Sequence, residues 1–460
     1  MSAKPLWTIA EVAKALGLTG TFPETAIDFV TQDSRLVKPG CLFVALSGTP
    51  SGGFISSFAS ARDGWEFADK AEAAGAVAMI LPHRIEGVSV PQLIVGDTLI
   101  DGLWGLARAA RARFKGPVIG LTGSAGKTST KEFLAAYPVA YASPSSFNNF
   151  WGVPLTLCNA SPNASLWVVE MGMNQTGEIA RLSELTQPTV ALVVNVQPVH
   201  LEKLGSLEAI RREKLSIAQG LPDNGVLVLP TEVHAPEWSG RLVRFGGASG
   251  VRELQHAAHG ESWNVSAEVV GKQVAFDLTP GAPHRLQNAL AALASIYAAS
   301  LDAAALAKEL GKVGIMTGRG VEQTAAGVTV IDDSFNGNPA SMVAALGSLK
   351  ARPVTSGRRI AILGDMLELG ADAPAYHVKL AKDLPGIDGV YCVGSLMRHL
   401  YDLLPADSAL GWHEDPATLE PQKVAALLQS GDVVVVKGSK KMFWVNTFVP
   451  RLLAALQAKA

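Results

Sequence analysis

The chain has 460 residues, 48% of them apolar and 17% charged, with a formal net charge of −2. At about 100–200 residues per domain, that length divides into roughly three cores rather than one. The apolar content argues against extended disorder, and Lys and Arg scattered among Asp and Glu leave no basic field for a nucleic-acid backbone, so no nucleic-acid partner is expected.

The N-terminal stretch MSAKPLWTIAEVAKALG carries apolar residues at helical spacing but no apolar signal core. The longest aliphatic runs, Val190–Val194 and Val433–Val436, are strand-sized, so a cytoplasmic protein without membrane insertion is expected. Residues 1–115 contain strand-like runs at Ile27–Thr31, Leu42–Leu46 and Val77–Leu81, and helical patterns at Glu11–Leu16 and Leu99–Phe114. They read as a small mixed α/β domain ending at Lys115-Gly116-Pro117. Residues 116–313 alternate strand and helix: Val118–Leu121, a helix from Thr128, Leu166–Glu170, Val190–Asn195, a helix through Leu207–Ala218, Val226–Leu229 and the alanine-rich Gln287–Ala299. Such alternation predicts a largely parallel sheet covered on both faces. Segments 230–240 and 279–283 read as loops, and the glycines from Gly311 to Gly320 as a linker. In residues 314–460, Val328–Ile331, Ile360–Leu363, Val390–Val393 and Val433–Val436 each resemble a buried strand, which predicts a doubly wound, Rossmann-like domain. Cys41, Cys158 and Cys392 are few and far apart, which suits a reducing compartment, and read as buried small apolar residues.

The chemistry begins at PVIGLTGSAGKTSTKEFLA, residues 117–135, where a strand, a glycine turn with one lysine and a helix follow in succession. Gly123 and Gly126 let backbone N–H groups turn toward an anion, Lys127 adds a point charge, and Thr128 offers a hydroxyl to Mg²⁺ at a helix N-terminus. The loop is a short form, since Leu121 stands where the usual phosphate loop has its first glycine. Glu170 ends the run LWVVE, beyond the carboxyl end of a strand, where a nucleotide-bound cation sits in open α/β sheets; a solvated strand end is the plainer reading. His200 follows the next strand in the same position, though a lone histidine there is more often a packed or solvent-facing residue. On pattern alone Lys214, within IRREKLSIAQG, belongs to a charged helix face. Asn288, Arg319 and Asp332-Asp333 read singly as a helix cap, a solvent-facing arginine and a turn; together they are polar groups at the boundary of two α/β domains.

The ordered set TGSAGKTS, FNNFWGVPLTL (147–157), EMGMNQTGEI (170–179), NVQPVHLEKLGSLEAIRREK (195–214), HRLQNALAA (284–292), GRG (318–320), DDSFNGNPASM (332–342), GDMLELG (364–370) and KGS (437–439) resembles the Mur ligases. DSRLVKPGCLFVAL at 33–46 is similar to their N-terminal uridine-nucleotide module. The resemblance implies three α/β domains: a UDP-precursor module, a central phosphate-loop ATPase domain with a parallel sheet, and a Rossmann-like domain that closes on ATP and binds the incoming substrate. Within the family, FNN-x-x-GVPLTL, DDSFNGNP and GDMLELG are similar to the ligase that joins D-alanyl-D-alanine to UDP-N-acetylmuramoyl-tripeptide. The third-amino-acid ligase and a folylpolyglutamate-synthase-like enzyme are the alternatives.

The roles so implied are an ATP cradle from Gly123, Ser124, Ala125, Gly126, Lys127, Thr128 and Ser129, with Asn288, Arg319 and Asp333 around the nucleotide. Two Mg²⁺ ions would be held by Thr128, Glu170, His200 and a CO₂-derived carbamate on Lys214. Ser34, Arg35, Asn148 and Asn149 would face the UDP precursor, and Asn336, Asn338 and Pro339 the dipeptide; a monomer is expected. The sequence departs from the family pattern at Phe335, where tyrosine is usual, at Gly337, at Ala340, at DGWEF (63–67) and at an insertion-like segment, residues 50–61.

Overall fold

The structure is a computed structural model and describes residues 5–49, 60–235, 237–259, 262–279, 284–354 and 356–459. The insertion-like segment at 50–61 and the loop at 279–283 lie mostly outside those residues. Among the described residues there are four sheets, a two-stranded one near the N-terminus and three larger ones that follow one another along the chain. The first of these three is a parallel sheet of four strands, Phe29–Thr31, Cys41–Val44, Ala76–Leu81 and Gln92–Ile94. The expected strand Ile27–Thr31 is broken at Asp28: Ala26–Ile27 pairs instead with Trp7–Thr8, antiparallel.

The central sheet has nine strands. Six run parallel, in the order Ala140–Ala142, Leu166–Glu170, Val118–Thr122, Val190–Val193, Val226–Pro230 and Arg241–Phe245. The last three, Val251–His259, Ser262–Val269 and Lys272–Leu278, form an antiparallel ribbon absent from the sequence expectation. Their buried residues alternate (Val265, Ala267, Val269; Phe276, Leu278) instead of forming apolar runs, because only one face is covered. The cover is helix His284–Ala298, whose alanines allow close approach to both the sheet and helix Lys127–Ala135.

The third sheet orders Val321–Ala325, Val328–Asp333, Val433–Lys437, Arg359–Gly364, Gly389–Val393 and Ala409–His413, parallel except for the first strand. Its edge strands, the polar and largely exposed Val321–Ala325 and the half-buried Ala409–His413, are absent from the sequence expectation. All three cysteines are free and buried, and burial pushes the Cys41 thiol up to about 11 and that of Cys392 to about 12.

Helix Gly152–Asn159 of the central domain is among the elements that hold the N-terminal domain. Trp7 Nε1 donates to Cys158 O (2.8 Å), and the Asn159 amide completes the edge of strand Phe29–Thr31: Oδ1 accepts from Val30 N and Nδ2 donates to Val30 O, both at 2.8 Å. A side chain thus serves as the missing neighbour of an edge strand.

Candidate active site

Strand Val118–Thr122 enters the central sheet between Leu166–Glu170 and Val190–Val193, so three strand ends open on one edge. The glycine loop there needs both its glycines. Gly126 is left-handed (φ +75°), and a Cβ on it would lie 2.6 Å from Asn288 Oδ1; a Cβ on Gly123 would lie 2.9 Å from Val194 Cβ. Asn195, which sequence reasoning passed over, buttresses the loop: Oδ1 accepts from Ser124 N (3.1 Å) and Ala125 N (2.9 Å), and Nδ2 donates to Ala125 O (3.0 Å). Lys127 folds back, Nζ donating to Gly123 O at 2.7 Å. Burial lowers its amine pKa, Glu170 opposing and Arg319 reinforcing the shift. Helix His284–Ala298 lays buried Asn288 against Gly126, and the Asn288 Nδ2 has no protein partner. A buried amide donor without an acceptor is costly unless a ligand supplies one.

Glu170 is buried, 1% exposed. Its Oε1 accepts from Asn148 Nδ2 (2.8 Å) and lies 3.5 Å from Thr128 Oγ1, while Oε2 has no protein partner. Thr128 Oγ1 also accepts from Arg319 Nη2 at 3.0 Å, a bond from the third domain into the phosphate loop. Arg319 stacks on Phe335 (4.2 Å to the ring centroid), which packs edge-on against Trp444. Burial lowers the Arg319 pKa against the pull of Glu170, Asp333 and Glu132. Lys127, Thr128, Glu170, Asn148 and Arg319 therefore form one cluster, with Asn288 at its edge.

Lys214 is not on a solvated helix face. Helix Leu207–Leu215 turns it inward, 2% exposed, because its neighbour Glu213 caps helix Glu178–Thr186, accepting from Gly177 N (2.7 Å) and Ile179 N (3.0 Å). Burial first, and the charge of Lys127 second, hold the Lys214 amine well below the ordinary lysine range. His200 adopts a left-handed backbone (φ 54°) and puts Nδ1 against Glu368 Oε2 of the third domain, in close contact though off the line of a linear hydrogen bond. That contact holds the Glu368 carboxyl below its usual range, against burial. Among the described residues no three of His, Cys, Asp and Glu gather as a metal cluster. The donor set at the loop is instead a hydroxyl, one carboxylate with a free buried oxygen, and a lysine.

The remaining expected residues lie apart from that cluster or have local bonds. Ser34 and Arg35 sit in a surface turn where Arg35 is ion-paired to Asp33 at 2.6 Å. Asn149 Oδ1 accepts from Gly152 N (2.8 Å), starting helix Gly152–Asn159. Asn338 caps helix Pro339–Lys350 through Ser341 N (2.9 Å), with Pro339 in its first turn. Asp333 pairs with Lys437 (2.8 Å), whose Nζ also donates to the Asn336 carbonyl at 3.0 Å. Ser129 follows Lys127 and Thr128 on the phosphate-loop helix.

A glycine loop at the edge of a parallel sheet, approached by an arginine from a third α/β domain, has the geometry of the class of proteins that bind phosphate between domains. The Mur ligase middle domain profile matches residues 121–296, and the Mur ligase glutamate ligase domain profile residues 319–440. The UDP-N-acetylmuramoyl-tripeptide–D-alanyl-D-alanine ligase of Escherichia coli is 33% identical over 440 residues, covering 91% of this chain and 92% of that protein. A crystal structure of MurF from Acinetobacter baumannii superposes with a TM-score of 0.81 at 26% identity, over 97% of this chain and 99% of that one. MurF from Thermotoga maritima in complex with ADP does so at 0.76 and 25%, over 94% and 98%. The chain belongs to the Mur ligase family.

Proposed function

We propose that this protein joins D-alanyl-D-alanine to UDP-N-acetylmuramoyl-tripeptide with ATP, giving the UDP-muramoyl-pentapeptide of peptidoglycan synthesis. The observation that carries this reading is the match, along nine-tenths of the chain, to a ligase named for that reaction. In this reading residues 1–115 bind the UDP end through Ser34 and Arg35, residues 116–313 bind ATP, and residues 314–460 close on ATP and bring the dipeptide past Asn336, Asn338 and Pro339. The protein acts as a cytoplasmic monomer; no helix among the described residues is long and apolar enough to cross a membrane.

A carboxylate is a poor electrophile with a poor leaving group, and ATP remedies both. The tripeptide carboxylate attacks the γ-phosphate, releasing ADP and leaving an acyl phosphate; the dipeptide amine then attacks the acyl carbon and phosphate departs. Lys127 leaves Gly123 O to meet the phosphates, and Arg319 leaves Thr128 for the transferring oxygens. The free buried oxygen of Glu170 and the hydroxyl of Thr128 fit a divalent cation, and His200 and Lys214 would complete the set for two Mg²⁺. Bound Mg²⁺ supplies charge compensation on the phosphoryl oxygens.

Lys214 suits its part because burial favours its neutral amine, the form that adds to CO₂ to give a carbamate and a proton. The carbamate turns a cation that would repel Mg²⁺ into an oxygen ligand. The test is phosphate release from ATP and Mg²⁺. It should require UDP-muramoyl-tripeptide and D-Ala-D-Ala together, and release without the dipeptide at the full rate would refute ligation.

A further inference from the structure

The sequence segment GDMLELG has no part in the chemistry above, yet it forms the seam between the third domain and the central one. Strand Arg359–Gly364 delivers it, and its backbone is held in place by two buried groups. Met366 N donates to His377 Nε2 (2.9 Å), and Leu367 N donates to Ser439 Oγ (2.8 Å) of the KGS segment. The next residue, Glu368, is left-handed (φ 65°), an uncommon state for a side-chain-bearing residue. It meets His200, left-handed as well. The backbones join beside them: Glu202 N donates to Glu368 O at 3.3 Å. Gly370 (φ +68°) passes so near that a Cβ there would lie 3.3 Å from Glu202 Cα, and Leu201 packs on the third domain's core. Two strained residues facing each other across a domain boundary, each held by its own scaffold, mark a contact that the surrounding structure enforces.

We propose that Glu368 is a positioning residue for His200: the third domain supplies the carboxylate against Nδ1 of the imidazole, and this contact, aligned into a hydrogen bond when a metal ion binds, fixes the tautomer that leaves Nε2 as the metal-binding nitrogen. Metal-bound histidines commonly carry such a carboxylate on their other nitrogen. Here the carboxylate comes from another domain, so the histidine is fully oriented only when the domains are together. The inference rests on the reading of His200 as a metal ligand.

The test is Mn²⁺ binding in the presence of ADP, followed by electron paramagnetic resonance on full-length Glu368→Ala, Glu368→Gln and His200→Ala. Glu368 is half-exposed, so its variants should melt with the wild type. Glu368→Ala should weaken Mn²⁺ binding about 10- to 100-fold with ADP affinity unchanged, and Glu368→Gln, which keeps an acceptor oxygen, should recover most of it. Unchanged Mn²⁺ affinity in Glu368→Ala alongside a loss in His200→Ala would overturn the proposal alone. No loss in either variant would overturn the metal role of His200 and the proposal with it. A Gln variant as weak as the Ala variant would mean that the contact is only an ionic clamp between domains, and would also overturn it.

Discussion

Replacing Gly126 by alanine probes the phosphate loop at the one backbone position where two independent constraints meet. The residue sits at φ +75°, where a Cβ costs about 1–2 kcal/mol. The new methyl would lie 2.6 Å from Asn288 Oδ1, where ordinary contact begins at 3.4 Å, so the amide must retreat by about 0.8 Å. Asn288 is 2% exposed and has little room to do so. The strain alone, if released by distorting the loop, corresponds to roughly a tenfold loss at 1.4 kcal/mol per decade. Displacement of the loop amides and of Asn288 adds to it, since an error near 1 Å can cost about 100-fold. Steady-state kinetics should therefore show the KM for ATP raised at least about tenfold, with the KM values for the UDP precursor and the dipeptide within about twofold of wild type. The central domain should also melt lower, by about 2–4 °C per kcal/mol. A variant with unchanged ATP KM and unchanged melting would refute the assignment of this loop as the nucleotide cradle.

Two further outcomes follow from other parts of the molecule. Asn159→Ala leaves the Val30 N–H and C=O without their partner; unfolding should be easier by about 1–3 kcal/mol, and the KM for the UDP precursor should rise while that for ATP holds, whereas an unchanged precursor KM would contradict the docking role. His377 is wholly buried, donates from Nδ1 to Ala373 O (2.7 Å), accepts at Nε2 from Met366 N, and has its pKa lowered below 6.5 by burial. The unfolded chain therefore binds the extra proton first, so stability falls as pH drops below 6.5 toward the folded value, and His377→Gln should flatten that part of the melting curve against pH. An identical slope in the variant would place the acid sensitivity elsewhere.

Continuous apolar runs made the fully buried parallel strands of the central and third domains legible in the sequence, whereas the less buried Ala140–Ala142, Arg241–Phe245 and Ala409–His413 were not, and glycine spacing pointed to a phosphate loop. The antiparallel ribbon from Val251 to Leu278 was not legible, because a sheet with one wet face alternates and its buried positions include a single alanine, Ala267. Lys214 showed the opposite difficulty. Its neighbours Arg211 and Arg212 read as a solvated face, while core burial of Ile210 one turn earlier and the capping bonds of Glu213 to another helix rotate the helix to bury it. Asn338 and Pro339, which the family resemblance assigns to the dipeptide, start helix Pro339–Lys350 in the structure, where Asn338 caps and Pro339 stands in the first turn, a local role that the sequence analysis did not read. Asn195 had a usable signal, a polar residue closing an apolar strand beside the glycine loop. Glu368 had none, since its partner is 168 residues away and on another domain.

The central claim is a ligation step, so the most direct measurement is the product's mass. The protein is incubated with ATP, Mg²⁺ and either UDP-muramoyl-tripeptide plus D-Ala-D-Ala or UDP-muramoyl-dipeptide plus a single amino acid. A UDP-muramoyl-pentapeptide formed in the first mixture, with no tripeptide in the second, is the result predicted here. Tripeptide from the second mixture and nothing from the first would contradict the assigned step, even though the Mur ligase fold would stand.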